Sequence, residues 1–85
     1  MRVIRILSSF ERDWRSIPQP IKEEARRCLK LLQENPRHPH LNVKKLANVT
    51  PQTWRLRIRG FRILYRCDAN AVYLIRILDR KDVYR

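Results

Sequence analysis

The chain of 85 residues has little glycine, cysteine and acid: one Gly, two Cys, and 8 Asp and Glu against 20 Lys and Arg. The two cysteines lie outside any Cys-x-x-Cys or Cys/His pattern, which excludes a disulfide scaffold or zinc finger and indicates free thiols in a reducing compartment. Arg2 and Arg5 interrupt the N-terminal apolar stretch, and no apolar run reaches the roughly 20 residues that span a bilayer. We therefore expect one domain over residues 1–85, cytoplasmic and without membrane association.

The shortage of acidic residues is most severe in the second half of the chain. Residues 41–85 contain eleven Lys and Arg but only three Asp and no Glu, within a formal net charge of +12 for the whole chain. Such an excess repels itself and attracts polyanions. The composition therefore predicts an acidic partner, and its concentration on one part of the chain favours a nucleic-acid surface.

The first half predicts a strand followed by two helices. Residues 2–7 are rich in β-branched residues and are bounded by serine, which is typical of a strand. Ser8 and Glu11 have the spacing of a capping box at the start of a short helix. Residues 20–34 carry an apolar stripe at helical spacing and predict a second, longer helix. Residues 36–53 contain three prolines and predict a loop.

A helical turn near Val43–Leu46 is expected within that loop. From Trp54 the pattern changes to a period of two, with strands on either side of Gly60 and a third strand after the turn at residues 68–70. One set of side chains is expected to face the helices: Trp54, Leu56, Ile58, Phe61, Ile63, Tyr65, Cys67, Ala71, Tyr73, Ile75 and Ile77. The alternate set is basic and faces away: Arg55, Arg57, Arg62, Arg66 and Arg76, joined by Arg80 and Tyr84 if the chain stays extended.

The predicted fold is therefore α+β, in the order β-α-α-β-β-β, with two N-terminal helices packed on a twisted antiparallel sheet. Like charges that face each other across strands are destabilising, and few carboxylates are available to offset them. Guanidinium groups match phosphate oxygens in two hydrogen bonds and stay charged at any relevant pH. The basic set therefore predicts a phosphate-binding face; the alternative is an ordinary solvated sheet face with extended arginines.

At these residues the sequence resembles the RelE/ParE superfamily of small toxins, especially the RelE-like mRNA interferases. The resemblance rests on the central stretch WRLRIRGFRILY, residues 54–65, and on the ending DRKDVYR, residues 79–85. Asn35-Pro36-Arg37 and Lys44-Lys45-Leu46 also resemble the family's helix exit and loop.

The resemblance implies a toxin of a type II toxin–antitoxin system that enters the ribosomal A site of the 30S subunit. There it cleaves mRNA through attack of a 2′-hydroxyl on the adjacent phosphate, without metal or cofactor, and an acidic antitoxin inhibits it. The implied catalytic residues are Arg55, Arg57, Arg62, Arg80 and Tyr84. The implied RNA-binding residues are Lys44, Lys45, Arg59, Arg66, Arg76 and Lys81.

The implied mechanism lacks an evident general base, because arginine stands at Arg55 and Arg57 where a relative has lysine and cannot readily lose a proton. Asp79 and Asp82 are the candidate bases, with Tyr84 or one of the loop histidines, His38 and His40, as alternatives. A ParE-like inhibitor of DNA gyrase, and a catalytically weak relative that only binds antitoxin or RNA, are the alternatives. Four apolar residues between the arginines are expected to help seat the antitoxin: Leu64, Val72, Leu74 and Leu78.

Overall fold

The computed structural model describes residues 1–83, with side chains up to Lys81. Its elements are β1 (Val3–Ile6), α1 (Ser8–Trp14), α2 (Gln19–Glu34), β2 (Val43–Lys45), β3 (Trp54–Ile58), β4 (Phe61–Cys67), β5 (Ala71–Asp79) and α3 (Arg80–Val83). The strands form one sheet in the order β1-β5-β4-β3-β2, with β1 parallel to β5 and the other pairs antiparallel. The predicted α+β fold of two helices on a sheet is confirmed, but the sheet is mixed because β1 returns beside the last strand.

The segment expected to hold a helical turn is instead the edge strand β2. Val43 pairs with Leu56 and packs against the core, whereas Lys44 and Lys45 are exposed. Three residues are enough for this strand because β3 supplies its hydrogen-bonding partner. Lysines on a short edge strand also discourage pairing with another chain.

The helices cover one face of the sheet. Helix α1 begins after Leu7 without a side-chain cap, so the capping box predicted at Ser8 is wrong; Ser9 Oγ instead donates to the Ile75 carbonyl at 2.6 Å. Pro20 lies in the first turn of α2, as expected. The core between the helices and the sheet is formed mainly by Phe10, Ile21, Ala25, Leu32, Leu56, Ile58, Ile63, Tyr65 and Ile77.

A β-bulge in β5 changes which side chains face that core. Leu64 pairs with Arg76 but Tyr65 pairs with Leu74, so Ile75 is an extra residue without a partner on β4. The bulge reverses the alternation in the first half of the strand. Val72 and Leu74 are therefore buried, at 0% and 1% exposure, and the prediction that they lie on the basic face and seat an antitoxin is wrong.

For the same reason Tyr73 faces away from the helices, and the prediction that Tyr73 and Ile75 belong to the core is wrong. Tyr73 pairs with Arg66 on β4 and with Arg5 on β1. Within residues 1–83, no helix combines the length and apolar character that a membrane span requires.

Candidate nucleic-acid interface

The side of the sheet opposite α1 and α2 carries a set of cations that we call the basic face: Arg5, Lys44, Arg55, Arg57, Arg62 and Arg66. The register brings them together, because Lys44 pairs with Arg55, and Arg57 pairs with Arg62. Arg5 was not predicted, since only the parallel pairing of β1 with β5 places it beside Tyr73. Its alternation with Ile4 and Ile6 is the one sequence signal for its side of the strand.

Arg62 is the most unusual member of the basic face. It lies on the central strand β4 between Arg57 and Leu78, and it is only 2% exposed. One terminal nitrogen, Nη1, donates to the neighbouring Phe61 carbonyl at 3.2 Å, and Nε is buried with no hydrogen-bond partner among the described residues. A buried cation without a counter-charge is costly, so this position is not explained by stability.

The neighbours of Arg62 do not neutralise it. Arg57, its direct cross-strand partner, is an exposed cation, and Arg55 is half-buried two pairs further along β3. The ion pairs found among residues 1–81 are Arg59 with Glu24 and Arg76 with Asp13, and neither involves Arg57 or Arg62. The centre of the basic face is therefore a concentrated positive field suited to a phosphate.

Two of the arginines predicted to bind RNA form ion pairs with carboxylates of the helices. Arg76 Nε and Nη2 donate to the Asp13 carboxylate at 2.6 and 3.0 Å, and this hydrogen bonding raises the pKa of Arg76. Arg59 adopts a left-handed conformation, with φ of 53°, at the β3–β4 hairpin, and its Nε lies 2.9 Å from Glu24 on α2. Both arginines hold helices to the sheet.

The chain does not remain extended after β5, so the condition on which Arg80 and Tyr84 were expected to join the basic face is not met. It turns into α3, and the Arg80 N–H donates to the Gly60 carbonyl at 2.7 Å, which holds α3 to the β3–β4 hairpin. Lys81 is exposed. Tyr84 lies outside the described residues, and Asp82 is placed only by its backbone in α3.

Asp79, a candidate base, is not brought to the basic face. It pairs with Phe61, which packs against the core, and its Oδ1 accepts the Lys81 N–H at 3.1 Å. The carboxylate therefore caps α3 on the other side of the sheet from Arg62. Lys45 likewise pairs with Trp54 and belongs to the helix side, so Lys44 alone of the lysine pair contributes to the basic face.

The cysteines and the possible metal ligands of the chain give no sign of a second reactive site among the described residues. Cys28 and Cys67 are free thiols, and burial raises the pKa of each, which makes them poor nucleophiles at neutral pH. Among the described residues, no three His, Cys, Asp or Glu side chains gather into a group that could hold a metal ion.

Comparison with known proteins identifies the family of the chain. The family model described as ParE toxin of type II toxin-antitoxin system, parDE, matches residues 4–84. The chain belongs to this toxin family. The superfamily resemblance found in the sequence is therefore confirmed. Comparison with curated proteins returns no significant match.

Solved toxin structures share the fold. A chain of the RelB-RelE antitoxin-toxin complex of Methanococcus jannaschii matches with a TM-score of 0.81 at 20% identity, over 94% of both chains. The archaeal RelE-RelB complex of Pyrococcus horikoshii OT3 matches with 0.78 at 16% identity, over 93% of this chain and 94% of that one. The RelBE2 toxin-antitoxin complex of Mycobacterium tuberculosis gives 0.74 at 23% identity, over 93% and 98%. At these identities the likeness establishes the fold.

Proposed function

We propose that this toxin is an endoribonuclease that cleaves mRNA on the ribosome and so inhibits translation. The observation that carries the proposal is Arg62, a buried arginine whose Nε has no acceptor among the described residues, with Arg57 directly beside it. Preorganised donors in a partly dry site stabilise developing negative charge far better than donors in water. A phosphate is the ligand that supplies acceptors for such a cluster.

The reaction proposed is an internal transfer within the RNA. The 2′-hydroxyl gives its proton to a base or to water, and its oxygen attacks the adjacent phosphorus. The bond from phosphorus to the 5′-oxygen breaks, that oxygen takes up a proton from water, and the products are a cyclic phosphate and a 5′-hydroxyl. Negative charge grows on the non-bridging oxygens in the transition state, where Arg62 and Arg57 supply donors. Arg55 and Arg80 complete the proposed catalytic set, with Tyr84 to orient the substrate.

The proton from the 2′-oxygen has no carboxylate acceptor on the described basic face, since Asp79 caps α3 on the other side. Asp82, one position beyond Lys81 in α3, is the carboxylate that stays in the proposal as a base. Cleavage without a well-placed base is slower by the roughly 10²- to 10⁴-fold that such a group contributes. We therefore propose a toxin that depends mainly on charge stabilisation.

An acidic antitoxin is the proposed inhibitory partner, as in the toxin–antitoxin complexes with which the fold is shared. Carboxylates that approached the basic face would supply the counter-charge that Arg57 and Arg62 do not find within residues 1–81. Leu78, directly opposite Arg62 on β5, and Leu64, two residues further along β4, are half-buried and offer apolar contact beside Arg62. An acidic segment with interspersed apolar residues fits this surface.

The test is cleavage of a translated mRNA in a reconstituted translation system, read by primer extension. We expect the wild-type protein to cleave, and Arg62→Gln to lose about 10²- to 10³-fold in rate, which is the cost of removing one transition-state donor. Arg59→Gln is the matched control: it also removes one positive charge, but from the arginine that pairs with Glu24 on the helix side. It should cleave within about twofold of wild type. Intact mRNA with wild-type protein would refute the proposal and leave a relative that only binds antitoxin or RNA.

A second candidate function is inhibition of DNA gyrase, which the match to a ParE family model favours. It requires no chemistry by the toxin, so Arg62 would then serve only in binding. A supercoiling assay with purified gyrase separates the two functions. Inhibition of supercoiling by the wild-type protein, with translated mRNA left intact, would replace the ribonuclease proposal.

A further inference from the structure

A second concave site lies on the same side of the sheet as the basic face, at the end distant from the β3–β4 hairpin. This trough has a volume of about 450 Å³, and its lining includes Leu7, Pro51, Gln52, Arg66, Tyr73 and Ile75. None of these residues except Arg66 has a part in the reaction or in binding proposed above. Its walls come from four separate segments, so the trough exists only in the folded sheet.

The bulge in β5 creates the trough. Without the extra residue Ile75, the alternation of β5 would turn Tyr73 toward the helices. The Tyr73 hydroxyl donates to Asp68 Oδ2 at 3.2 Å, which fixes the direction of the ring. A half-buried aromatic ring held in this way is a preorganised surface for stacking.

Two polar groups stand beside that ring. Arg66 Nε contacts Thr53 Oγ1 at 3.4 Å, which leaves its terminal nitrogens as donors. Gln52 Nε2 donates to the Leu46 and Thr53 carbonyls at 3.3 and 3.1 Å, so the amide is anchored through its nitrogen and its oxygen remains an acceptor. An apolar slot with one cation, one amide acceptor and an aromatic ring has the complementarity of a nucleobase and its phosphate.

The spacing along β4 relates the trough to the reacting phosphate. Arg62 and Arg66 are four residues apart on one strand and share a face, which separates them by about 13 Å. The trough therefore lies beyond the nucleotide whose phosphate reaches Arg62. It lies within reach of a neighbouring nucleotide of the same strand.

We infer that the trough formed by Tyr73, Arg66 and Gln52 binds the base of a nucleotide that flanks the scissile phosphate, and contributes to sequence preference. This inference rests on the proposed ribonuclease function. RNA is favoured over a protein segment because the trough is continuous with the basic face and its aromatic ring lies between two arginines, Arg66 and Arg5. Stacking on such a ring tolerates any base, whereas the Gln52 oxygen can select those with a donor at their edge.

The experiment is an equilibrium binding measurement between the purified toxin and a fluorescent RNA pentanucleotide at low salt, about 50 mM, where phosphate contacts are strongest. An abasic residue is moved through the oligonucleotide one position at a time. We expect one position at which the abasic residue weakens binding about tenfold, in the range that loss of one stacked base produces. In Tyr73→Leu that position should no longer matter. Tyr73→Phe keeps the ring but loses its hydrogen bond to Asp68, so it should retain most of the effect at that position.

A second variant guards against a folding defect in Tyr73→Leu. Gln52 is exposed, so Gln52→Ala should fold as wild type, and it should flatten the preference among the four bases at that same position. An abasic effect of equal size in wild type and Tyr73→Leu, with unchanged base preference in Gln52→Ala, would overturn the inference. So would a Tyr73→Leu protein that binds RNA normally but has lost affinity for the antitoxin, because the trough would then be a protein-docking site.

The measurement also separates this inference from the function on which it rests. Binding of the pentanucleotide needs no ribosome and no cleavage. A Tyr73-dependent abasic effect with intact mRNA in the translation assay would retain the trough and refute the ribonuclease. Cleavage of mRNA with no such effect would retain the ribonuclease and refute the trough.

Discussion

Two regions of the sheet each contain a partly or fully buried arginine, but only one of the two arginines has a carboxylate partner among the described residues. At the edge where β5 meets α1, Arg76 makes a two-pronged ion pair with Asp13, which also accepts the Ile77 N–H at 3.1 Å. At the centre, Arg62 is more deeply buried, yet among the described residues it donates only to the neighbouring Phe61 carbonyl. The edge is built for stability, because its charges are matched within the fold.

At the centre of the sheet, the burial of the Arg62 guanidinium costs desolvation free energy that no contact among the described residues offsets. A buried cation loses its hydration, and only a close counter-charge or several hydrogen bonds restore that free energy. In anion-binding sites, a buried cation often has no counter-charge until the ligand binds. The difference therefore distinguishes arginines that hold the structure from arginines available to a phosphate, although the sequence shows the two kinds at equivalent positions of neighbouring strands.

The largest effect is expected when the Asp13 carboxylate, the counter-charge of Arg76 at the edge of the sheet, is removed. Asp13→Ala should lower the free energy of unfolding by about 2 kcal/mol, since it removes two charge-assisted hydrogen bonds and leaves the Ile77 N–H without its acceptor. The loss of unfolding free energy should not be larger, because the Arg76 side chain is 44% exposed and can recover some hydration in the variant. Urea unfolding followed by circular dichroism measures it; a loss below about 0.5 kcal/mol would show that the pair is only a surface contact.

A matched pair of substitutions tests the comparison directly. Arg62→Met should raise the free energy of unfolding by about 1 to 2 kcal/mol, because an unbalanced buried charge is replaced by an apolar side chain of similar length. Arg76→Met should lower it by about 1 kcal/mol, since Asp13 then loses its partner. The sign of the two changes, measured by urea unfolding of both variants, is the result that matters. Changes of the same sign would mean that Arg62 is already neutralised in the folded chain.

A third change would give the centre the counter-charge that the edge has. Leu78 pairs directly with Arg62, so Leu78→Glu places a carboxylate opposite the guanidinium. We expect this variant to be more stable than Leu78→Gln, its neutral isostere, by about 0.5 to 1 kcal/mol, the range for an opposite-charge cross-strand pair. The glutamate should also abolish RNA cleavage by occupying the phosphate position. Equal stabilities of the Glu and Gln variants would place the two side chains too far apart to interact.

The periodicity of the sequence was sufficient for most of the fold. Alternation from Trp54 onward predicted β3 and β4 to within their observed bounds, and the apolar stripe after Pro20 predicted α2, because both patterns are local consequences of side-chain direction. The same reasoning failed in β5. A bulge shifts the alternation by one residue, and nothing in the run AVYLIRIL signals that Ile75 is extra, since every residue there is compatible with either face.

The sequence predicted which arginines share the centre of the basic face, but not how the arginines at its margins are paired. Arg55, Arg57 and Arg62 share the basic face because they lie on two strands joined by a tight hairpin, whose register the sequence constrains. The roles of Arg59 and Arg76 depended on Glu24 and Asp13, which come from helices distant in sequence. Arg5 depended on a parallel pairing that no local pattern specifies. Long-range partners therefore decided which cations remain available.

The smallest predicted effect concerns Asp68, an acidic residue near the basic face that pairs with backbone rather than arginine side chains. Its Oδ1 accepts the Asn70 and Ala71 N–H groups, each at 2.8 Å, and these bonds hold the pKa of the carboxyl below its ordinary value of 3.8. A depressed folded-state pKa means that the stabilisation is present above the ordinary value and is lost as pH falls through the folded one. Between pH 5 and pH 2, wild type should therefore lose slightly more stability than Asp68→Asn, which has no proton to gain. Urea midpoints of the two proteins across this range measure the difference. Parallel profiles would mean that the stability of this turn does not depend on the charge of Asp68.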